Sequence, residues 1–149
     1  KADPYPTTLD LLRYLKAENP ESGHAFVDDM FTKITLFDLK TKTAEVKQLD
    51  NGQFELALTI EANKFYADGQ GEETDADIHI DFDIGVFSQD PDDPDAKDHV
   101  IHFERHTLVK GENKVILTLD EKPTHAGVDP FITLIDRNSN DNLIKVSSE

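Results

Sequence analysis

The chain has 149 residues and a mass of 16.8 kDa, with 31 Asp and Glu against 15 Lys and Arg and a formal net charge of -16. A domain of this length buries roughly two-thirds of its unfolded surface, so we expect a core although only 37% of the residues are apolar. The charge repels a phosphate polyanion, and no Lys/Arg stripe offsets it, so we expect no nucleic acid as a partner.

Two short helices are predicted at the start of the chain. Thr7 or the next residue is placed to cap a helix with one apolar stripe, which the pair at 19–20 (NP) ends. Ser22 is placed to cap a second helix over residues 23–32. Helices this short are marginal alone in water, so residues 1–32 are expected to form a hairpin that packs on something larger.

From residue 34 onward, the apolar residues alternate with a period of two. Residues 34–39 and 44–49 are predicted to form a first strand or a pair of strands, and 50–52 (DNG) a hairpin turn. Residues 54–62 form the clearest strand, with the even-numbered residues inward. Further strands are predicted over 78–86, 100–109 and 114–119, with loops at 68–73, 88–98 and 110–113.

Short turns between consecutive strands, with no helix between them, predict an antiparallel β-sandwich rather than a parallel sheet. After Pro123 the periodicity ends, and residues 126–141 are expected to be an ordered, irregular segment packed through three residues. Those residues are Phe131, Leu134 and Ile135. Residues 33–149 are therefore predicted to be one mainly β domain with an irregular C-terminal segment.

The residue types of this C-terminal segment indicate a structural role. Gly127 can adopt a positive φ, and Asp129 or Asp136 can bond to nearby backbone N–H groups. We expect the segment to cover an open edge of the sandwich, with Arg137 paired to a carboxylate.

Catalytic and cofactor motifs with a defined spacing are missing from the sequence. There is no His-Glu-x-x-His, no glycine-rich phosphate loop and no Gly-x-Ser-x-Gly, and the lack of cysteine excludes a thiolate zinc site. No apolar run approaches the ~20 residues of a membrane-spanning helix. We therefore assign no catalytic, cofactor-binding or metal residue and expect a monomeric binding or accessory domain that does not insert into a membrane.

Two sets of alternating polar residues could carry a metal. One set is His102, Glu104 and His106, and the other is His79, Asp81 and Asp83. On neighbouring strands, these imidazoles and carboxylates could converge on a divalent transition metal. The alternative, which we favour, is that both sets lie on the solvent-exposed faces of strands whose other faces cover the core.

Three further features could bind ligands. The turn with Asp136, Asn138 and Asn140 resembles the start of a calcium loop, but it lacks the glycine and the final Glu. The loop over residues 90–98 is a second possible cation site, and we favour a plain solvated loop at both places. An exposed aromatic pair could bind sugar or peptide, although such residues more often close a core. That pair is Phe65 and Tyr66.

Residues 122–130 (KPTHAGVDP), continuing through 134–137 (LIDR) to 141–142, resemble the carboxy-terminal end of a family of bacterial membrane proteins. In this family an ABC-transporter permease-like region is fused to a zinc aminopeptidase of the aminopeptidase N type. Shorter similar segments lie at residues 29–31, 34–36, 67–69 and 83–87.

The resemblance implies an extracytoplasmic, immunoglobulin-like β-sandwich, on the periplasmic side of the inner membrane, that follows the helical region of the peptidase. The opening helices would then be the last elements of that region, and the rest of the parent polypeptide would be the partner. The family's zinc ligands and catalytic glutamate match no position here, so no catalytic residue is carried over and zinc is implied only for the parent.

The first hypothesis is accordingly a non-catalytic accessory domain of a membrane-tethered zinc aminopeptidase-like protein. Since the chain begins at Lys1 and its one methionine is Met30, we expect a processed protein or part of a longer one. The second hypothesis is a calcium-dependent carbohydrate-binding or adhesion module that uses the Asp and Asn loops. A third is a small metalloenzyme built on four side chains. These are His79, Asp81, His102 and His106.

Overall fold

The computed structural model describes residues 5–91, 93–95 and 99–148, and within them the protein is mainly β with two helices at the start. In chain order the elements are α1 (Thr8–Glu18), α2 (Glu21–Phe31), β1 (Ile34–Gln48), β2 (Phe54–Ala67), β3 (Glu73–Asp75), β4 (Asp81–Phe87), β5 (Val100–Thr107), β6 (Gly111–Leu119), β7 (His125–Val128), a 3-10 turn (Ser139–Asp141), β8 (Leu143–Lys145) and β9 (Ser147–Ser148).

The strands form two sheets that pack face to face. In the first sheet β2 pairs with β1 on one side and with β3 and β6 on the other, and β9 extends the edge beyond β1. The second sheet has the order β5-β4-β7-β8. With β1, β2 and β6 as strands A, B and E, and β4, β7 and β8 as C, F and G, this is the arrangement of an immunoglobulin-like sandwich, as predicted.

The core lies between the two sheets and follows the period-two pattern. The alternate residues Leu56, Leu58 and Ile60 of β2 are fully buried, and they belong to one cluster with Ile84 and Val86 of β4. The predicted inward face of residues 54–62 is thus confirmed. The two segments at 34–39 and 44–49 form one strand, β1, which continues through a bulge at residues 41–43.

The first helix begins as predicted and the second does not. Thr7 caps α1 in a capping box, since its side chain accepts from the Asp10 N–H and the Asp10 carboxylate accepts from the Thr7 N–H. The prediction of Ser22 as a cap is wrong, because α2 begins at Glu21 directly after Pro20 and has no side-chain cap. Asn19, extended because it precedes a proline, ends the first helix, and Pro20 is the N-cap residue of the second.

Several strand boundaries differ from the prediction, and two of the differences change the topology or the length of a central strand. Residues 76–80 lie outside any strand, and β4 begins only at Asp81. The predicted turn at 110–113 is also wrong, because β6 already begins at Gly111, whose φ of 91° suits a glycine. The chain crosses there from one sheet to the other, so β5 and β6 are not a hairpin.

The C-terminal segment contains a central strand that the sequence pattern did not predict. All four residues of β7 are buried, because the strand is paired with β4 on one side and β8 on the other and is covered on both faces. A strand buried on both faces has no polar alternation to reveal it. Gly127 lies within β7, and its role is close approach, since a Cβ there would lie 1.9 Å from the Asn142 carbonyl oxygen. It is not a positive-φ position.

The remainder of the segment covers an edge of the first sheet, as predicted. Residues 135–137 run beside β1, where the Phe37 N–H donates to the Ile135 carbonyl and the Arg137 N–H to the Phe37 carbonyl, at 2.8 and 3.0 Å. The buried Asp129 accepts from two backbone N–H groups, at 133 and 134, also as predicted. Of the three residues expected to anchor the segment, Leu134 packs against the core and the Phe131 ring lies 6.0 Å from that of the buried Phe87, whereas Ile135 is exposed, so the expectation is wrong for Ile135.

Candidate functional site

A buried ion pair attaches the helical hairpin to the sandwich. Lys64 of β2 is only 1% exposed and its ammonium group contacts the carboxylate of Asp29 in α2, which is 7% exposed. A buried charge is costly unless it is paired and hydrogen-bonded. The position of α2 on the sheet is therefore determined by a specific polar contact as well as by apolar packing.

Further hydrogen bonds surround this ion pair. Lys64 donates to the Asp77 carbonyl at 2.9 Å, and the Tyr66 hydroxyl donates to the second Asp29 oxygen at 2.7 Å. Lys33 lies at the rim, 3.8 Å from that oxygen and 4.0 Å from the Tyr66 ring centroid. The Tyr66 hydroxyl beside it raises the pKa of Lys33. We call these five residues the anchor network.

Sequence reasoning missed the anchor network although a signal for it is present. The predicted strand ends at residue 62, but two further steps of two place Lys64 and Tyr66 on the same, core-facing side of β2. A lysine at a core-facing strand position requires a buried anionic partner. The sequence does not indicate which of the 31 acidic residues that partner is.

The outer surface of the hairpin is apolar and uncovered. No residue of α1 is buried, and Leu9 and Tyr14 are 76% and 62% exposed. The two helices are tied to each other by Lys16 and Asp28, whose charged atoms are 2.6 Å apart, and this contact lowers the pKa of Asp28. The apolar stripe that the sequence predicts is present on α1, but it does not face the sandwich core.

A groove between α2 and the sandwich is also largely apolar. We define the hairpin groove by its apolar lining residues, which come from α2, the start of β1 and the C-terminal segment. These are Phe26, Met30, Ile34, Leu36, Phe37, Leu134 and Ile135. Four of the seven are exposed large apolar residues, Met30 at 60%. Large apolar surfaces in concave positions are typical of protein contact sites.

The two polar sets that the sequence suggested as metal ligands do not converge. Their strands are neighbours, but Asp81 and Asp83 pair with Thr107 and Arg105, so they lie on the opposite face of the sheet from His102. His79 precedes the strand. The four-residue metal site of the third hypothesis, with ligands from both strands, is therefore not formed.

One of the sets is a compact cluster by itself. The Nε2 atoms of His102 and His106 are 3.3 Å apart, and a ligand atom of Glu104 lies within 4.8 Å of both. Within the residues described, it is the one group of three or more His, Asp and Glu side chains placed for a common ion. Partial burial lowers the pKa of His102, which favours the neutral imidazole.

The acidic turn at 136–141 uses its oxygens within the chain. The Asp136 carboxylate accepts from the Leu39 N–H at 3.3 Å and from the Asn138 N–H at 3.0 Å, and burial raises the pKa of this carboxyl. Asn138 and Asn140 lie in the turn that this carboxylate holds against β1. In the second acidic loop, Asp93 and Asp95 are exposed, and Asp92 lies outside the described residues.

The aromatic pair at the end of β2 does not form one platform. Phe65 and Tyr66 are consecutive strand residues and point to opposite faces of the sheet. The Tyr66 hydroxyl is in the anchor network, whereas the Phe65 ring is covered by the Arg137 guanidinium, 4.4 Å from its centroid. Arg137 also pairs with Glu73, which confirms the expected carboxylate partner.

The fold and these contacts define a class of protein, an immunoglobulin-like sandwich with a helical hairpin anchored to it by a buried ion pair. Comparisons with protein-family models, curated proteins and solved structures found no significant match. Among the described residues, neither helix has the length and apolar composition needed to cross a membrane.

Proposed function

We propose that this chain is a non-catalytic accessory domain of a larger, membrane-tethered zinc aminopeptidase-like protein, located on the extracytoplasmic side of the membrane. Its role is to pack on the peptidase body and to shape access to it. The contact surface is the hairpin, through its uncovered apolar face and the hairpin groove. The partner is a helical region of the same polypeptide.

The observation that carries this proposal is the uncovered apolar surface of the hairpin. Two helices of 11 residues each bury only two side chains, Val27 and Asp29, and leave several large apolar residues in water. The anchor network meanwhile holds α2 in one orientation on the sandwich. A rigidly held apolar helical surface is suited to continue a helical body, since helices bury apolar stripes against other helices.

The location of the contact is tested in the longest natural polypeptide that contains this sequence. A photo-crosslinking amino acid replaces Met30 in the hairpin groove, and in a matched protein it replaces Ile116, which is 65% exposed on β6. We expect Met30 to capture peptides from outside residues 1–149 of the same polypeptide, and Ile116 to capture none. Capture from Ile116 but not from Met30 would contradict the proposed contact surface.

The non-catalytic role is tested with the isolated chain. Aminoacyl-4-nitroanilide substrates should remain uncleaved with and without added Zn²⁺, because the catalytic groups belong to the partner region. Robust hydrolysis by the pure chain would overturn the accessory role. A natural polypeptide that contains no peptidase region would overturn the assignment to this family of proteins.

A further inference from the structure

We propose that His102, Glu104 and His106 form a binding site for a divalent transition metal, with Zn²⁺ as the ion that it fits. The two imidazole Nε2 atoms and one Glu104 carboxylate oxygen are the ligands, and a water molecule or an external ligand completes the coordination. This site is independent of the hairpin, and it assigns binding rather than a reaction.

The spacing of the two imidazoles matches tetrahedral coordination. Two nitrogens that are each about 2.0–2.1 Å from a tetrahedral Zn²⁺ lie about 3.3–3.4 Å apart. The Nε2 atoms of His102 and His106 are 3.3 Å apart. Residues four apart in a straight strand are separated by about 13 Å at Cα, so both rings must lean toward the position of Glu104 between them.

The position of the cluster in the fold is unusual for polar residues. His102, Glu104 and His106 pair with Val86, Ile84 and Phe82, three core residues of β4, so their side chains lie on the core side of the sheet. The expectation that these three residues lie on the outer, solvent-exposed face of the sheet is therefore wrong. The outer face of β5 carries Phe103, whose ring lies 5.3 Å from that of Phe131.

The placement of β5 explains how polar residues are tolerated there. It is the edge strand of the second sheet, so its core side is incompletely covered, and the two histidines are half-buried while Glu104 is exposed. The three ligand atoms lie within 4.8 Å of one another, and the Glu104 carboxylate supplies a negative charge beside the two imidazoles. Two imidazoles and one carboxylate with one open position is a donor set that Zn²⁺ uses in proteins.

The experiment is a titration of the metal-free chain with Zn²⁺, followed by thermal unfolding and by NMR of the histidine side chains. A metal that binds the native state raises Tm with its concentration. We expect Tm to rise and the imidazole signals of His102 and His106 to shift together, with those of His79 unchanged. No rise in Tm and no shift of the two imidazoles would overturn the proposal.

Three variants separate this site from binding elsewhere on an acidic surface. His102→Gln should weaken Zn²⁺ affinity by at least about tenfold. Glu104→Gln should weaken it too, and because Glu104 is exposed this variant keeps its fold. His79→Gln is the matched control and should bind as the wild type does. Equal Zn²⁺ affinity in all three variants would assign the ion to other residues and overturn the proposal.

Discussion

The sandwich and the helical hairpin are stabilised in different ways. In the sandwich, alternate residues of both sheets close over one another and leave a core whose central members are fully buried. In the hairpin, no residue of α1 is buried and several of its large apolar residues are exposed, and α2 is held to the sandwich by its few buried side chains and by the anchor network. The sandwich thus has a complete core of its own, whereas the hairpin presents a surface that another element can cover.

The sandwich and the hairpin should therefore respond differently to single substitutions. Burial of apolar side chains is non-directional and is spread over many contacts, so a sandwich of this kind unfolds as a unit. A buried ion pair is directional and depends on two side chains, because removal of one partner leaves the other charge uncompensated. The hairpin is therefore the region whose attachment a single polar substitution can disrupt.

The largest effect is expected from breaking the anchor network. Asp29→Leu leaves the buried Lys64 ammonium without its partner and should lower the free energy of unfolding by about 3–5 kcal/mol. The double variant Asp29→Leu/Lys64→Met should recover most of this loss, since an apolar pair carries no charge to desolvate. Urea unfolding measures both values.

The adjacent residue provides the control for this test. Asp28 makes an ion pair of similar composition with Lys16, but both side chains are about one-third exposed. Asp28→Ala should therefore lower the free energy of unfolding far less than Asp29→Leu does, because solvent screens an exposed ion pair. Equal losses for Asp28→Ala and Asp29→Leu would show that burial of the Asp29 pair contributes nothing to the attachment of the hairpin.

The second contrast is between leucines of the two regions. Leu58 is in the sandwich core and its replacement by Ala should lower the free energy of unfolding by about 2–5 kcal/mol. Leu9 is exposed on α1, and Leu9→Ala should change the free energy of unfolding of the isolated chain by no more than about 0.5 kcal/mol. A large loss for Leu9→Ala would mean that the outer face of the hairpin is covered in solution, for instance by a second copy of the chain.

The smallest effect is expected at the start of the hairpin. Thr7→Ala removes the side-chain acceptor of the capping box and should destabilise α1 by about 1 kcal/mol. The loss should be local, so amide hydrogen exchange should quicken in α1 while the amides of β2 remain protected. Thr8→Ala, one residue further on in the exposed first turn of the helix, is the control. Faster exchange throughout β2 in Thr7→Ala would contradict a separate response of the hairpin.

Much of the fold was predictable because local chemistry and tertiary structure agree there. The capping group at Thr7, the DNG turn and the alternation of β2 each determine a local conformation that the fold retains. The strand β7 was not predictable, because it is short, buried on both faces and without polar alternation. The Ser22 cap failed because Pro20 already determines where the second helix starts.

The candidate sites were predictable in part. The sequence indicates that His102, Glu104 and His106 share a face, since alternate strand residues always do. It does not indicate that this face is the core side of an edge strand, because that depends on the pairing with β4 and on the extent of the opposite sheet. The partner of Lys64 lies 35 residues away on a helix and follows from no local pattern.

The sequence by itself determined the class of this protein: a β-sandwich with two leading helices, an acidic surface and none of the tested catalytic motifs, because period, turn residues and motif spacing are local properties. Only the tertiary structure decided which faces are covered. It brings Asp29 to Lys64, leaves large apolar residues of the hairpin uncovered and places the two imidazoles on the core side of an edge strand. These three features depend on how segments that are distant in sequence pack together.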